Sequence, residues 1–307
     1  MKIINKTKTY GLLGIISLLL LFMFTVSANN PGDYSQNVTT KVNVTNAYPR
    51  ISSISMPSTV DLIPGSTKQV NCTIEAYDWN GASDMILVNA TLWENQTASM
   101  SDADSNLTHY TIDNCTFGAI VAPYNRTFYC EFIVYYYANA SNNWICNATV
   151  TDTYDFSTSD YNTTEILPLY ALNVTSEIDF GEAAVGDIPN ATANITNFGN
   201  QAINISVEGY GRTPGDQHAM DCDQIPGGYI NITDLKFTPN PSDDWAASTS
   251  LDLNSNPLNI SGLTVPKIDL ISVQPNNFST TYWHLFINPI QNPFGVCNGT
   301  VVFTAWN

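Results

Sequence analysis

Two stretches of the sequence, residues 70–76 and 144–150, alternate strictly between apolar and polar side chains around a central cysteine. Alternation with a period of two is typical of a β-strand that has one buried face. Cys72 and Cys146 both fall on the apolar side of their stretches. The pattern therefore predicts two strands that each present a cysteine to a common core, and it favours an intersheet disulfide between Cys72 and Cys146.

The polar side of the same strands carries N-x-S/T sequons, which are acceptors for N-linked glycan. Asn71 and Asn147 lie opposite the two cysteines, and Asn89 lies opposite a third apolar set. That set is Ile86, Val88, Ala90 and Leu92. Because glycan must face solvent, the sequons and the apolar sets assign the same inner face independently. The nineteen sequons after residue 28 begin at Asn37, Asn43, Asn71, Asn89, Asn95, Asn106, Asn114, Asn125, Asn139, Asn147, Asn162, Asn173, Asn190, Asn194, Asn204, Asn231, Asn259, Asn277 and Asn298.

The first 28 residues have the pattern of a secretory signal peptide. Lys2, Lys6 and Lys8 precede an apolar run over residues 11–24, and small residues at 26–28 suit cleavage. An uncleaved N-terminal anchor is the alternative, although the run is shorter than the roughly 20 apolar residues of a spanning helix. We therefore expect a secreted or cell-surface glycoprotein.

The net charge excludes one class of partner. The chain carries 10 Lys+Arg against 27 Asp+Glu, a formal charge of −17, and loss of the three signal lysines makes it −20 (7 against 27). Such a chain repels nucleic acid and anionic lipid, so no nucleic-acid partner is expected. With 44% hydrophobic residues the chain can build a packed core, which argues against disorder.

Six cysteines fit three disulfides in an oxidising compartment, and sequence alone allows fifteen connectivities. Cys115 and Cys130 flank a short excursion and suit the staple of one hairpin. Cys222 and Cys297 then remain as the third pair. Metal binding by these cysteines is disfavoured, because the chain has no C-x-x-C and no histidines paired at ligand spacing.

The spacing of the β-rich runs indicates an all-β fold. Runs recur about every 8–12 residues with turn residues between them, which is typical of a β-sandwich. The length after the signal exceeds that of one Ig-like domain of about 100 residues. We therefore predict a signal peptide (1–28) and two tandem Ig-like β-sandwich domains (29–168 and 169–307).

Two sets of residues carry a resemblance to known families. The series I-D-F-G…V-G…A-N-I-T-N-F-G-N…I-N-I-S-V-E-G, within residues 176–209, resembles the opening strands of ASH/hydin-type Ig-like domains. The first domain looks like the Ig-like modules of archaeal and bacterial surface proteins, through P-G-S-T-K-Q-V-N-C and D-W-N-G-A-S-D. The resemblance implies a scaffolding, adhesive or envelope role rather than one activity, and together with the dense sequons it favours an archaeal source.

One loop is a candidate cation site. Residues 78–84, D-W-N-G-A-S-D, place oxygen ligands at Asp78, Asn80 and Asp84, with a glycine for the tight turn. In an Ig-like sandwich Asp152 and Asp155 would lie at the same end. Calcium is the one cofactor that the sequence suggests. The alternative is an ordinary loop in which Asn-Gly only supplies the turn.

The other polar clusters are weaker. Residues 102–106 resemble a calcium loop, but Leu107 stands where glycine is expected. His218 lies among three acidic residues, and a disulfide-anchored polar loop explains it better than a metal site. His109 and His284 are expected to be half-buried or surface residues of strands. No nucleophile elbow, zinc-protease helix or phosphate loop occurs, so no catalytic residue is assigned.

We expect a structural or adhesive surface protein, an envelope or S-layer-associated component whose partners are other surface proteins or glycans. Trp79 and Trp93 are predicted to face outward, where they could stack on sugars or pack on a neighbour. A second hypothesis is an extracellular filament subunit that self-assembles by donating residues 37–45 as a strand. The favoured reading of that segment is the domain's own first strand, which needs no partner. A carbohydrate-active or metal-assisted hydrolase is the rival class, and it requires an acidic cleft or a cluster at His218.

Overall fold

A computed structural model describes residues 37–224, 228–269 and 276–307. The described residues are strands, turns and two short 3₁₀ helices, Ile232–Asp234 and Pro289–Gln291, which confirms the all-β prediction. None of the helices in these ranges is long and apolar enough to cross a membrane. The predicted signal peptide lies outside the described residues. Contacts divide the chain into two units, Met1–Thr45 and Asn46–Asn307.

The first sandwich contains nine strands. They are β1 (Arg50–Ser55), β2 (Thr59–Val60), β3 (Thr67–Tyr77), β4 (Met85–Glu94), β5 (His109–Ile112), β6 (Thr116–Ala122), β7 (Asn125–Tyr135), β8 (Ser141–Asp152) and β9 (Ser157–Ile166). One sheet has the order β1-β3-β7-β6 and the other the order β2-β9-β8-β4-β5. This is the strand arrangement of an immunoglobulin sandwich, in which β4, β8 and β9 occupy the C, F and G positions.

Alternation on β3 and β8 has the predicted phase. Val70, Cys72, Ile74 and Ala76 are buried on β3, and Trp144, Cys146, Ala148 and Val150 are buried on β8. The Cys72–Cys146 disulfide joins the two sheets, and Cys115–Cys130 staples the β6–β7 hairpin. Cys72 and Cys130 face each other across β3 and β7, yet each bonds a different partner. Two disulfides therefore lie side by side in this core.

The strand β4 departs from its prediction at both ends, in phase at its start and in burial at its end. A register shift between Met85 and Leu87 turns Met85 inward and leaves Ile86 exposed, so Ile86 does not join Val88 in the core. Trp93, which was predicted to face outward into solvent, is buried. The chain turns back directly after it, because the carboxylate of Glu94 accepts hydrogen bonds from Thr97 N (3.0 Å) and Ser141 Oγ (2.9 Å).

The second sandwich contains the remaining strands. They are β10 (Leu172–Val174), β11 (Asn190–Asn197), β12 (Ile203–Tyr210), β13 (His218–Cys222), β14 (Tyr229–Asn231), β15 (Leu235–Thr238), β16 (Thr249–Ser250), β17 (Leu258–Val265), β18 (Phe278–Leu285), β19 (Cys297–Asn298) and β20 (Thr300–Trp306). The sheets have the orders β10-β11-β18-β15-β16, β17-β12-β20 and β14-β13-β19. In the small third sheet Cys222 lies opposite Cys297, and the two form a disulfide.

The turn at residues 197–200 holds the two sandwiches together. Asn200 Oδ1 accepts the N–H of Leu169 (2.7 Å), and Asn200 Nδ2 donates to the carbonyl of Leu167 (3.0 Å). Phe198 accepts the N–H of Gly65 (3.2 Å) at its carbonyl, and any Cβ at Gly199 would collide with the carbonyl of Leu169. The buried apolar residues form two separate clusters, one within each sandwich. The boundary at residues 168 and 169 itself stays a prediction.

One of the predicted glycosylation sites is buried in the folded protein. Asn277 is 4% exposed, and its Nδ2 donates to the carbonyl of Asn197 (2.9 Å), so a sugar there would have to displace this contact. Its occupancy stays a prediction. The other eighteen sequon asparagines are at least partly exposed. Among the three used to assign strand faces, Asn71 is exposed and Asn89 and Asn147 are half-buried, all on the outer face.

Candidate functional site

The two sandwiches differ at the strand in the F position, which is β8 in the first and β20 in the second. In the first sandwich β8 lies between β4 and β9. In the second, β20 pairs with β12 through seven residue pairs, from Asn204↔Trp306 to Tyr210↔Thr300. Within the described ranges no strand pairs with the other edge of β20, where a G strand would lie.

The uncovered edge exposes part of the second core. The inward side chains of β20 are only half-buried, although they pack on the core, and those of the edge strand β10 are half-buried as well. The two strands approach within 8 Å between Cα atoms. We define the β20 groove as Leu172, Val174, Val301, Phe303 and Ala305. It combines an apolar strip with a row of backbone N–H and C=O groups that have no ladder partner.

Residues 37–45 form no strand, and the first strand of the chain begins only at Arg50. The expectation that this segment is the first domain's own first strand is therefore wrong. Val38, Val42 and Val44 are 81–84% exposed. The segment thus has the composition of a strand without the partner that would bury its apolar side.

Three carboxylates meet at the loop end of the first sandwich. Asp78, Asp84 and Asp152 each offer an oxygen within 4.8 Å of the others. Asp78 and Asp152 are fully buried. Asp78 Oδ1 accepts the N–H of Asn80 (2.7 Å), and Asp152 Oδ1 accepts the N–H groups of Tyr154 (2.8 Å) and Phe156 (2.9 Å). The loops after β3 and β8 therefore aim their acidic side chains at one point, as the sequence suggested.

The other predicted ligands of this group have different partners. Asn80 Oδ1 accepts the N–H of Ala47 (2.8 Å), and Asp155 is exposed in a left-handed turn with φ of 64°. Asn46, which the sequence gave no reason to select, donates from Nδ2 to Asp152 Oδ2 (2.6 Å). Burial raises the pKa of Asp78 and the charges of Asp84 and Asp152 raise it further, although the hydrogen bond from Asn80 opposes them.

Aromatic side chains surround the same loops. Trp79 is exposed at the tip, and its ring lies 5.6 Å from Tyr77 and 5.4 Å from Tyr124 between centroids. Tyr48 stacks on Phe156 at 4.4 Å. The outward position of Trp79 agrees with the sequence, whereas the burial of Trp93 removes it as a sugar platform.

The His218 cluster is held by its own hydrogen bonds. His218 Nδ1 lies 2.7 Å from Asp221 Oδ1, and its ring stacks on Tyr229 at 4.0 Å. Arg212 Nε lies 3.3 Å from Asp221 Oδ2. Burial tends to raise the pKa of Asp216, but backbone N–H donors from Thr213, His218, Arg212 and Gly211 outweigh it and lower the pKa to about 2. Asp216, His218 and Asp221 do lie within ligand distance, but each carboxylate already has several partners.

The other histidines are more buried than predicted. His109 Nδ1 lies 2.9 Å from Asp104 Oδ1, while Asp102 accepts hydrogen bonds from Ser99 instead, so residues 102–106 do not gather as a calcium loop. His284 is also buried, with Nδ1 2.6 Å from Asn190 Oδ1. It lies beneath an open depression of about 500 Å³ that includes Glu177, Asp179 and Asp243.

No protein-family model matches the sequence, and no curated protein sequence matches it significantly. Among solved structures, the chain is similar to the CsuC–CsuE chaperone–tip adhesion subunit complex of Acinetobacter baumannii Csu pili, with 10% identity, coverage of 82% and 99% of the two chains, and a TM-score of 0.36. The chain is also similar to a chaperone–tip adhesin complex of CFA/I fimbriae, with 10% identity, coverage of 82% of this chain and 79% of the other, and a TM-score of 0.30. For a complex of Dpr2 Ig1–Ig2 with DIP-Theta, the identity is 10%, the coverage is 83% of this chain and 98% of the other, and the TM-score is 0.19. Because a TM-score below 0.5 does not establish a shared fold, we base the proposed function on residues of this chain alone.

Proposed function

We propose that this protein is an extracellular structural subunit that assembles head to tail, with residues 37–45 of one copy inserting as a strand along β20 of the next. The predicted signal, the dense sequons and three disulfides support an exported, oxidising setting. An interface that joins two different surfaces of identical copies without closing into a ring produces an open chain of subunits. Such a chain is a filament.

The observation that carries the proposal is the uncovered edge of β20 in a protein that also has an unpaired extended segment. An added strand would supply hydrogen-bond partners to the row of N–H and C=O groups on β20. It would also cover Val301, Phe303 and Ala305, which pack on the core of the second sandwich but are only partly buried. One insertion therefore satisfies both the polar and the apolar part of the groove.

The alternation of the donor segment matches the groove. In an extended strand Val38, Val42 and Val44 lie on one side, while Asn37 and Asn43 lie on the other. Both asparagines begin sequons, so the glycan-bearing side would face solvent when the valines face the core. The segment has nine residues against the seven of β20, which is long enough to pair along the whole strand.

Two neighbouring substitutions test the donor. Val42→Asp places a charge on the side that enters the groove, and Lys41→Asp places one on the opposite side; neither changes a sequon. Light scattering and electron microscopy should find assemblies for the full chain and for Lys41→Asp, but monomers for Val42→Asp. Assembly by Val42→Asp, or a full chain that stays monomeric at high concentration, would contradict the proposal.

A mixing experiment separates insertion from a loss of folding. One variant lacks residues 37–45 and keeps the groove, and the other carries Phe303→Asp and keeps the donor segment. Each should be monomeric alone, and the mixture should stop at a 1:1 pair because only one donor and one groove remain. Folding is checked by near-ultraviolet circular dichroism, and a mixture of folded monomers that does not pair would refute the interface.

A further inference from the structure

We propose that Asp78, Asp84 and Asp152, with the side-chain oxygen of Asn46, bind one calcium ion at the loop end of the first sandwich. The site shares no residue with the β20 groove or with the donor segment 37–45, although Asn46 directly follows that segment. It would be a structural cation site, and its ligand class is a hard divalent cation.

The charges at this point have no protein counter-ion. Three carboxylates lie within 4.8 Å of one another, and none of the ion pairs among the described residues involves them. Like charges at such a distance repel strongly when they are removed from water, and burial of an unpaired carboxylate is costly. A bound cation converts both costs into favourable contacts.

Unpartnered oxygens aimed into the cluster point to a ligand. Asp78 is fully buried, and its Oδ2 has no hydrogen-bond partner. Asp84 Oδ2 and Asn46 Oδ1 are buried oxygens that also lack a partner. The second oxygens of the two aspartates are already used, by Asn80 N at Asp78 and by Thr153 Oγ1 at Asp84. Buried polar atoms in native proteins are almost always satisfied, so the free oxygens of Asp78 and Asp84, two of the three clustered carboxylates, indicate a missing positive partner.

The chemistry and spacing of these oxygens favour calcium. Calcium binds six to eight oxygens at roughly 2.3–2.6 Å, so oxygens on opposite sides of the ion are about 5 Å apart. The separations of at most 4.8 Å between these oxygens are compatible with that spacing. Carboxylate and amide oxygens on irregular loops suit the flexible geometry of calcium better than the strict octahedron of magnesium.

Binding would fix three separate parts of the chain. The ligands come from the turn after β3, from the end of β8 and from Asn46 ahead of β1. Trp79 is adjacent to Asp78 and exposed, so its fluorescence offers a local reporter of occupancy. Tyr77 and Tyr124 beside it can sensitise a bound terbium ion, which replaces calcium at oxygen sites.

The experiment uses the full exported chain after treatment with EDTA. Calorimetric titration with calcium chloride should give one site, with a Kd at or below the roughly 0.1–1 mM typical of extracellular modules. At calcium concentrations 100-fold above Kd the melting temperature of the first sandwich should rise by roughly 5–10 °C. If the melting temperature does not change and no binding heat is measured at about 10 mM calcium, ten times the weakest affinity expected of an extracellular module, the site is refuted.

Two charge-matched variants give the control. Asp84→Asn should abolish calcium binding and terbium luminescence, and without calcium it should melt at or above the wild-type temperature because repulsion is relieved. Asp155→Asn removes the same charge three residues from Asp152, at an exposed turn position that asparagine tolerates, and should keep the full calcium response. Equal losses in both variants, or an equal response to sodium chloride, would show only general screening of acidic charge and refute the site.

Discussion

The F-position strands of the two sandwiches carry the same kind of side chains in different surroundings. On β8 the inward residues Trp144, Cys146, Ala148 and Val150 are all 0% exposed, because β9 lies along the outer edge. On β20 the inward residues Val301, Phe303 and Ala305 remain half-buried. Among the described residues β8 has a strand along its outer edge and β20 has none, which accounts for the different burial of their inward side chains.

The first sandwich also has more covalent support. Two disulfides lie within its core, whereas the single disulfide of the second joins β13 and β19 in the small end sheet. A disulfide stabilises mainly by restricting the unfolded chain. The second sandwich thus has less covalent support within its core, and the proposed strand along β20 would add non-covalent contacts to it.

The largest expected effect comes from truncating a buried side chain of β8, the F-position strand that has a neighbour on both edges. Trp144→Ala should lower the free energy of unfolding of the first sandwich by about 3–5 kcal/mol, because the side chain is fully buried. Its indole Nε1 also donates to the carbonyl of Asn139 (2.9 Å). Phe303→Ala should cost only about 1–2 kcal/mol in the monomer, since its ring is only partly buried there.

Denaturant unfolding of monomer and assembly checks this difference. The cost of Phe303→Ala should increase in the assembled form, where the groove is covered, while the cost of Trp144→Ala stays the same. Equal costs for the two substitutions in the monomer would mean that β20 is not under-covered.

The junction gives the intermediate effect, because it couples the two sandwiches. Asn200→Ala leaves the N–H of Leu169 and the carbonyl of Leu167 without partners, and should cost about 1–3 kcal/mol. Hydrogen exchange at the Leu169 amide should accelerate in step. Asn142→Ala, at an exposed site, is the matched control and should change neither quantity. If the Leu169 amide is as well protected from hydrogen exchange in Asn200→Ala as in the wild type, the turn does not couple the stabilities of the two sandwiches.

The smallest effect is the pH dependence that Asp216 gives to the second sandwich. The pKa of Asp216 is lowered from 3.8 to about 2, since four backbone N–H groups outweigh the effect of burial. The unfolded chain therefore takes up the proton first as the pH falls. The stabilisation is complete above about pH 4 and is lost as the pH falls towards 2.

Asp216→Asn should cost about 1 kcal/mol at neutral pH and should flatten the loss between pH 4 and 2. Thermal melts across that range measure it. Asp160→Asn, at an exposed site of the first sandwich, should not change how the stability of the second sandwich depends on pH. An Asp216→Asn variant whose second sandwich loses stability between pH 4 and 2 as steeply as the wild type would contradict the role of Asp216.

Local patterns predicted what local forces decide. The phase of β3 and β8 and the Cys72–Cys146 pair follow from alternation, because a strand with one dry face imposes that period. The exposed Ile86 could not be foreseen, since a register shift inside β4 changes the phase without a sequence marker. The burial of Trp93 depends on how the chain turns back after Glu94.

Longer-range features were outside the reach of sequence patterns. An uncovered edge is the absence of a neighbour, and the residues of β20 carry no mark of that absence. Asn46 joins the acidic group only because the chain ahead of β1 passes the end of β8. The N-F-G-N series gave a family resemblance, but its structural use, a polar clamp between two sandwiches, emerges only when Leu167 and Leu169 are in place.

In a chain that is glycosylated during export, the buried amide of Asn277 would set an order of events. A sugar transferred to the unfolded chain at this sequon would have to be accommodated where Asn277 Nδ2 now meets the carbonyl of Asn197. The second sandwich could not then close around its junction. Folding must therefore outrun the transferase at this position, or the transferase must pass it by. The fraction of Asn277 that carries glycan, measured on peptides of the purified protein, would therefore report whether glycosylation or folding comes first.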